Sequence, residues 1–146
     1  MPNLYPVFEM PALAEQEAAE PKYGEAIMFD FLTGEFVFDG RGNLSATDGH
    51  TAWAHWCIKA ILTTRYAYLA YSHNYGSETN LISRQPSRRA AEAEIERVVT
   101  EALLADERTQ TVKDFSFTWT GSQVSVACTV TPTIGQDAEI EVKLYV

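Results

Sequence analysis

Cysteine and histidine are scarce in this chain of 146 residues: two cysteines, Cys57 and Cys128, and three histidines, His50, His55 and His73. Two cysteines do not build a disulfide framework. Both fall in core-like patterns, one on a helix face and one in a strand, so free buried thiols are expected. The histidines lack HExxH or CxxC-type spacing, and His50 and His55 lie on different faces of a helix, so no metal or cofactor site is expected. No G-x-S-x-G, P-loop or G-x-G-x-x-G occurs; Gly40-Arg41-Gly42 leads into a strand or loop instead of a helix. No apolar run approaches the roughly 20 residues of a membrane helix. The start shows no basic n-region followed by an apolar h-region, so no membrane crossing by a signal of its own is expected. Basic residues are also few, 11 against 20 acidic, for a net charge of −9. The one dense cationic patch is Arg84, Arg88 and Arg89, which argues against nucleic acid as a partner.

What is present suits one folded domain. Hydrophobic residues make up 46% and charged residues 21% of the chain, ordinary values for a globular protein. Residues 1–24 stand apart: three prolines by Pro11, then an Ala/Glu-rich stretch before Pro21. They read as an extended arm with a short helix. Its apolar residues (Leu4, Tyr5, Val7, Phe8, Met10) suit docking on a partner and folding back equally well.

Residues 25–146 read as a single α+β domain. Ile27, Phe29 and Phe31 alternate with Met28 and Asp30, Thr33-Gly34 and Asp39 to Gly42 supply turns, and Leu44 to Ala46 returns, which predicts a β-meander. Thr47 or Asp48 caps a helix whose stripe is Trp53, Trp56, Cys57, Ala60, Ile61 and Thr64. Tyr66 to Tyr71 predicts a short aromatic strand. Ser87 caps a second helix with Ala91, Ile95, Val98, Val99, Ala102 and Leu103 at helical spacing, ending near Asp106. Three strands follow: Phe115, Phe117 and Trp119; Val124 to Val130; and Ile140, Val142, Leu144 and Val146. The order predicts a mainly antiparallel sheet with two helices packed on one face.

No acid is singled out among 20, so paired carboxylates do not point to a glycosidase. The surfaces are more informative. Tyrosines crowd residues 66–75, a composition shared by cores and interfaces. If the last strand lies at a sheet edge, its unpaired N–H and C=O groups can accept a partner strand, and Glu139, Glu141 and Lys143 would guard it against indiscriminate pairing.

At Ile61-Leu62-Thr63-Thr64-Arg65 a specific pattern emerges. A helix ending this way, an aromatic stretch, and the pair Tyr75-Gly76 resemble the small baseplate wedge family of contractile phage tails, also called sheath initiators. That family carries a Glu-Pro-Arg motif after its next long helix. Here Asp106-Glu107-Arg108 occupies that place, with glutamate where proline is expected. Phe29 to Phe36 and Tyr71 to Gly76 are similar to the branch found in Gram-positive prophages. The likeness spans roughly Glu25 to Val146.

The resemblance implies a fold similar to the C-terminal domain of the tail sheath protein. It implies a sheath strand adding to Ile140, Glu141, Val142, Lys143, Leu144, Tyr145 and Val146. It implies that Thr63, Thr64, Arg65, Asp106, Glu107 and Arg108 face the larger wedge proteins. The implied role is structural and non-enzymatic: a baseplate wedge component and sheath initiator, repeated around a sixfold ring, assembled in the host cytoplasm and carried in a virion or tail-like particle. Contact with the tail tube or hub is a further possibility. The rival readings are a soluble tail adaptor bound to tube or hub, and a small cell-wall glycosidase, a label some relatives have carried.

Overall fold

A computed structural model describes residues 22–146; the first 21 residues, which hold nearly all of the expected arm, lie outside the described residues. The chain opens with four two-residue strands, β1 Ala26–Ile27, β2 Phe29–Asp30, β3 Glu35–Phe36 and β4 Ala46–Thr47. Helix α1 Gly49–Leu62, a 3-10 turn Thr79–Arg84 and helix α2 Arg88–Leu104 follow, then β5 Thr109–Thr120, β6 Gln123–Pro132 and β7 Ala138–Tyr145.

Local chemistry explains the helices. Ser87 is extended and its hydroxyl accepts the Ala90 N–H at 3.2 Å, satisfying a donor the first turn leaves free. Ala91, Ile95, Val98, Val99, Ala102 and Leu103 are buried along one stripe of α2. Asp48 holds the N-cap position of α1, although its side chain makes no capping bond. Trp53, Cys57, Ala60 and Ile61 are buried. Thr64 falls beyond the stripe because α1 stops at Leu62, where the Thr63 hydroxyl turns back to the Lys59 carbonyl at 2.6 Å.

β5, β6 and β7 form an antiparallel sheet in that order. Val124, Val126, Cys128 and Val130 of β6 and Ile140, Val142 and Leu144 of β7 are buried. They share one face by the period-two rule, and both helices pack there, α1 chiefly against β7 and α2 against β5. The fold is α+β, with two helices on one face of an antiparallel sheet. Both cysteines are free and buried in that core.

Two local expectations are corrected. The N-terminal region does run back and forth antiparallel, β2 with β3 and Phe38 opposite Leu44, but β1 pairs with β4 and none of these short strands joins the β5–β6–β7 sheet. A tight turn closes β2 on β3, with Gly34 at φ +76° and the Asp30 carboxylate accepting the N–H groups of Leu32 at 2.8 Å and Thr33 at 3.3 Å. Tyr66 to Tyr71 is no strand. Tyr66 has φ +65°, and the Tyr71 N–H bonds back to the Tyr68 carbonyl at 3.3 Å, so the chain turns where aromatic content favoured extension.

Candidate assembly interface

The two arginine motifs meet at one end of the molecule. Arg65 ties three segments together: its backbone N–H reaches the Ser77 carbonyl at 2.9 Å, its Nε the Gly76 carbonyl at 3.2 Å, and its Nη1 Glu101 of α2 at 2.7 Å. Gly76 sits at φ +99°, and a Cβ there would stand 2.8 Å from the Thr63 carbonyl oxygen, so only glycine closes this loop without a clash. Ser77 is fully buried and its hydroxyl donates to the Ile61 carbonyl.

Arg108 is held by Asp106, whose carboxylate accepts its Nε at 2.9 Å and also its Nη2, while the guanidinium stacks 5.3 Å over the Trp56 ring. Tyr75 meets the same indole edge-on at 5.7 Å. Trp56 therefore joins the loop at Tyr75 to the turn after α2. Thr64 and Glu107 are exposed there, whereas Arg65, Asp106 and Arg108 are largely occupied by intramolecular bonds. The turn closes on Asp106 itself, which accepts the Arg108 N–H at 2.9 Å; glutamate at position 107 is compatible with it.

The second candidate surface is β7, which borders the sheet. The Val146 N–H donates to the Ser122 carbonyl at 2.9 Å, so by antiparallel alternation Leu144, Val142, Ile140 and Ala138 also aim their backbone groups at β6. Those of Glu139, Glu141, Lys143 and Tyr145 point away from the sheet. Ile140, Val142 and Leu144 bury their side chains in the core, so what β7 offers outward is backbone, flanked by exposed Glu141, Lys143 and Tyr145.

Beside that edge runs a groove of about 760 Å³. It is lined by Glu141, Val142, Lys143 and Tyr145 of β7, by Phe29 to Leu32, and by Ile58 and Leu62 of α1. Phe29 meets Phe31 at 5.1 Å and Phe36 at 5.2 Å, and Phe31 meets His55 of α1 at 5.3 Å, which fixes this aromatic wall on the helix.

The sequence model of the family described as contractile injection system sheath initiator matches residues 26–135, most of the folded domain. The chain belongs to the sheath initiator family. It is also 37% identical over 94 residues to the phage-like element PBSX protein XkdS of Bacillus subtilis (strain 168), across 63% of this chain and 67% of that one. The family is structural, and its place is the baseplate and sheath of a tail or tail-like particle. The family match stops before β7, which leaves that strand to be judged on its own geometry.

The displaced pKa values of this initiator have local causes. Every carboxyl with a displaced pKa among the described residues is lowered (Asp30, Asp39, Glu94, Glu101 and Asp137), each chiefly by hydrogen bonds that favour the charged form. None is raised as a general acid would be. Burial pushes the Cys57 thiol up to about 12 and the Cys128 thiol to about 11, away from nucleophilic thiolates. No group of metal-ligating side chains occurs among the described residues. No helix there is long and apolar enough to cross a membrane.

Sequence reasoning missed three contributors. Glu101 carried no local signal, because its partner Arg65 is 36 residues away. Helical spacing puts Trp56 in the core stripe, but it also receives Arg108 and Tyr75. Alternation makes Phe29 to Leu32 part of a meander strand, and nothing in the sequence places it across from β7.

Proposed function

We propose that this protein begins sheath assembly on a contractile-tail baseplate by lending the outer edge of β7 to a strand of the tail sheath protein. The observation that carries this reading is an unbroken eight-residue edge strand whose Glu139, Glu141, Lys143 and Tyr145 backbone groups point outward. Each main-chain hydrogen bond to an added strand contributes on the order of 1 kcal/mol net, and alternate side chains pin the register. Repetition around a sixfold ring would make many modest contacts cooperative. Force during contraction would then pass through several backbone bonds.

The opposite function, attachment to the larger wedge proteins, falls to the end carrying Thr63, Thr64, Arg65, Asp106, Glu107 and Arg108. Arg65 and Arg108 would shape this surface from within, and exposed Thr64 and Glu107 would meet the partner. Residues 25–146 act as one unit in this scheme, with residues 1–24 as an arm. The protein is assembled in the host cytoplasm and needs no catalytic step.

The test is Glu141→Pro. Its N–H faces outward, so proline removes a donor from the edge and none from the β6–β7 ladder. Particles carrying the variant are expected to show baseplates and tubes without attached sheath in negative stain, while the purified variant keeps its folded circular dichroism. Sheathed, contractile particles would refute strand addition and favour the tail-adaptor reading.

A further inference from the structure

We propose that the groove between β7 and the Phe29–Leu32 wall selects a partner strand that is apolar at alternate residues and basic at the others. This rests on the strand-addition reading and adds to it the chemistry of the strand.

A strand paired to β7 lies roughly 4.8 Å beyond it and turns successive side chains to opposite sides. One set lies on the sheet's helix-covered side. There it meets Phe29, Phe31, Leu32, Ile58 and Leu62, all lining the groove. Leu32 is 83% exposed and Leu62 46%, apolar surface that no described residue covers. The other set lies beside Glu139, Glu141, Lys143 and Tyr145 on the open face.

Charge then decides what that second set must be. Glu141 and Lys143 line the groove and Glu139 stands next along the strand, two carboxylates to one ammonium. The protein as a whole carries −9. Opposite charges across a strand pair attract and like charges repel, so lysine or arginine fits beside Glu139 and Glu141. A second copy of this chain is a poorer match, because its own β7 brings two glutamates for each lysine.

The experiment is fluorescence anisotropy of the full chain with a dye-labelled peptide of about ten residues, alternating valine with lysine and threonine. Two controls have glutamate in place of lysine, or the same residues in blocks that break the alternation. Binding of the basic alternating peptide is expected to exceed both controls by about tenfold. Leu32→Asp and Glu141→Pro should each weaken it by a similar factor, and Glu141→Gln should narrow the gap between basic and acidic peptides. Equal binding of all three peptides, or none at millimolar concentration, overturns the proposal. Loss with Glu141→Pro but not with Leu32→Asp keeps strand addition and removes the apolar selection. Loss with Leu32→Asp but not with Glu141→Pro refutes strand addition itself. A dimer in sedimentation that Glu141→Pro dissolves would place a second copy in the groove and overturn the assignment to a partner strand.

Discussion

β5 and β7 border the same sheet, yet their edges are built differently. β5 is 12 residues long, and its pairing with β6 shifts register twice, between Thr109 and Thr111 and between Lys113 and Ser116. At the second shift Asp114 takes φ +57°, a left-handed residue that bends the strand. β7 runs eight residues in one register with no shift. Backbone irregularity therefore guards one edge against pairing, and charge alone, from Glu139, Glu141 and Lys143, guards the other. An edge protected by bulges is closed to any strand. One protected by charge stays open to a strand of complementary charge.

The sharpest way to break this comparison is a pair of prolines in β7. Val142→Pro removes an N–H used by β6 and disturbs a buried side chain, so it should cost about 4 kcal/mol. Glu141→Pro removes only an outward N–H and should cost about 1 kcal/mol. Urea unfolding midpoints measure both, and equal losses would mean that the inward and outward groups have been assigned the wrong way round.

Gly76→Ala asks whether the edge and the motif end are separable. Left-handed backbone and a 2.8 Å approach to the Thr63 oxygen predict a loss of about 2–3 kcal/mol. Proteolysis near Tyr66 to Tyr75 should quicken, while peptide binding at β7 stays unchanged in the folded fraction.

Deleting Asp114 should realign the two halves of β5, since β5 spends three steps between Lys113 and Ser116 where β6 spends two. Stability should shift by only about 1 kcal/mol. The straightened edge should, however, raise self-association in sedimentation.

The smallest effect concerns His55, which supports the aromatic wall. Burial first, and then the Lys59 charge, lower its pKa below 6.5. The folded state thus prefers the neutral ring, and the unfolded state takes the proton first. Its contribution is intact above the unfolded value and declines as pH falls through about 6.5. His55→Gln should flatten that part of the stability profile, read by thermal unfolding between about pH 7 and pH 5.

Much of the fold was legible because its signals are local. Ser87 followed by a 3.6-residue stripe marks α2, and strict alternation from Val124 to Val130 and from Ile140 to Leu144 marks two half-buried strands. Thr63-Thr64-Arg65, Tyr75-Gly76 and Asp106 to Arg108 carry the family likeness in the sequence alone. Tyr66 to Tyr71 failed for a physical reason: aromatic content favours a strand only where a neighbouring strand accepts the ladder, and here the segment is spent in turns. The Phe-rich N-terminal region failed differently. Its alternation is real, but its rings pack on each other and on His55 instead of on the sheet.

The sequence by itself determined the helices, the three long strands, the inward face of each and the family likeness, because periodicity and capping act over a few residues. Only the tertiary structure decided that β6 is central and β7 an edge, since both show the same alternation and differ only in how many neighbours they pair with. It alone set Phe29 to Leu32 across from β7, and Arg65 against Glu101. Those juxtapositions join residues up to more than a hundred positions apart, and backbone direction at an edge follows from pairing rather than from residue type.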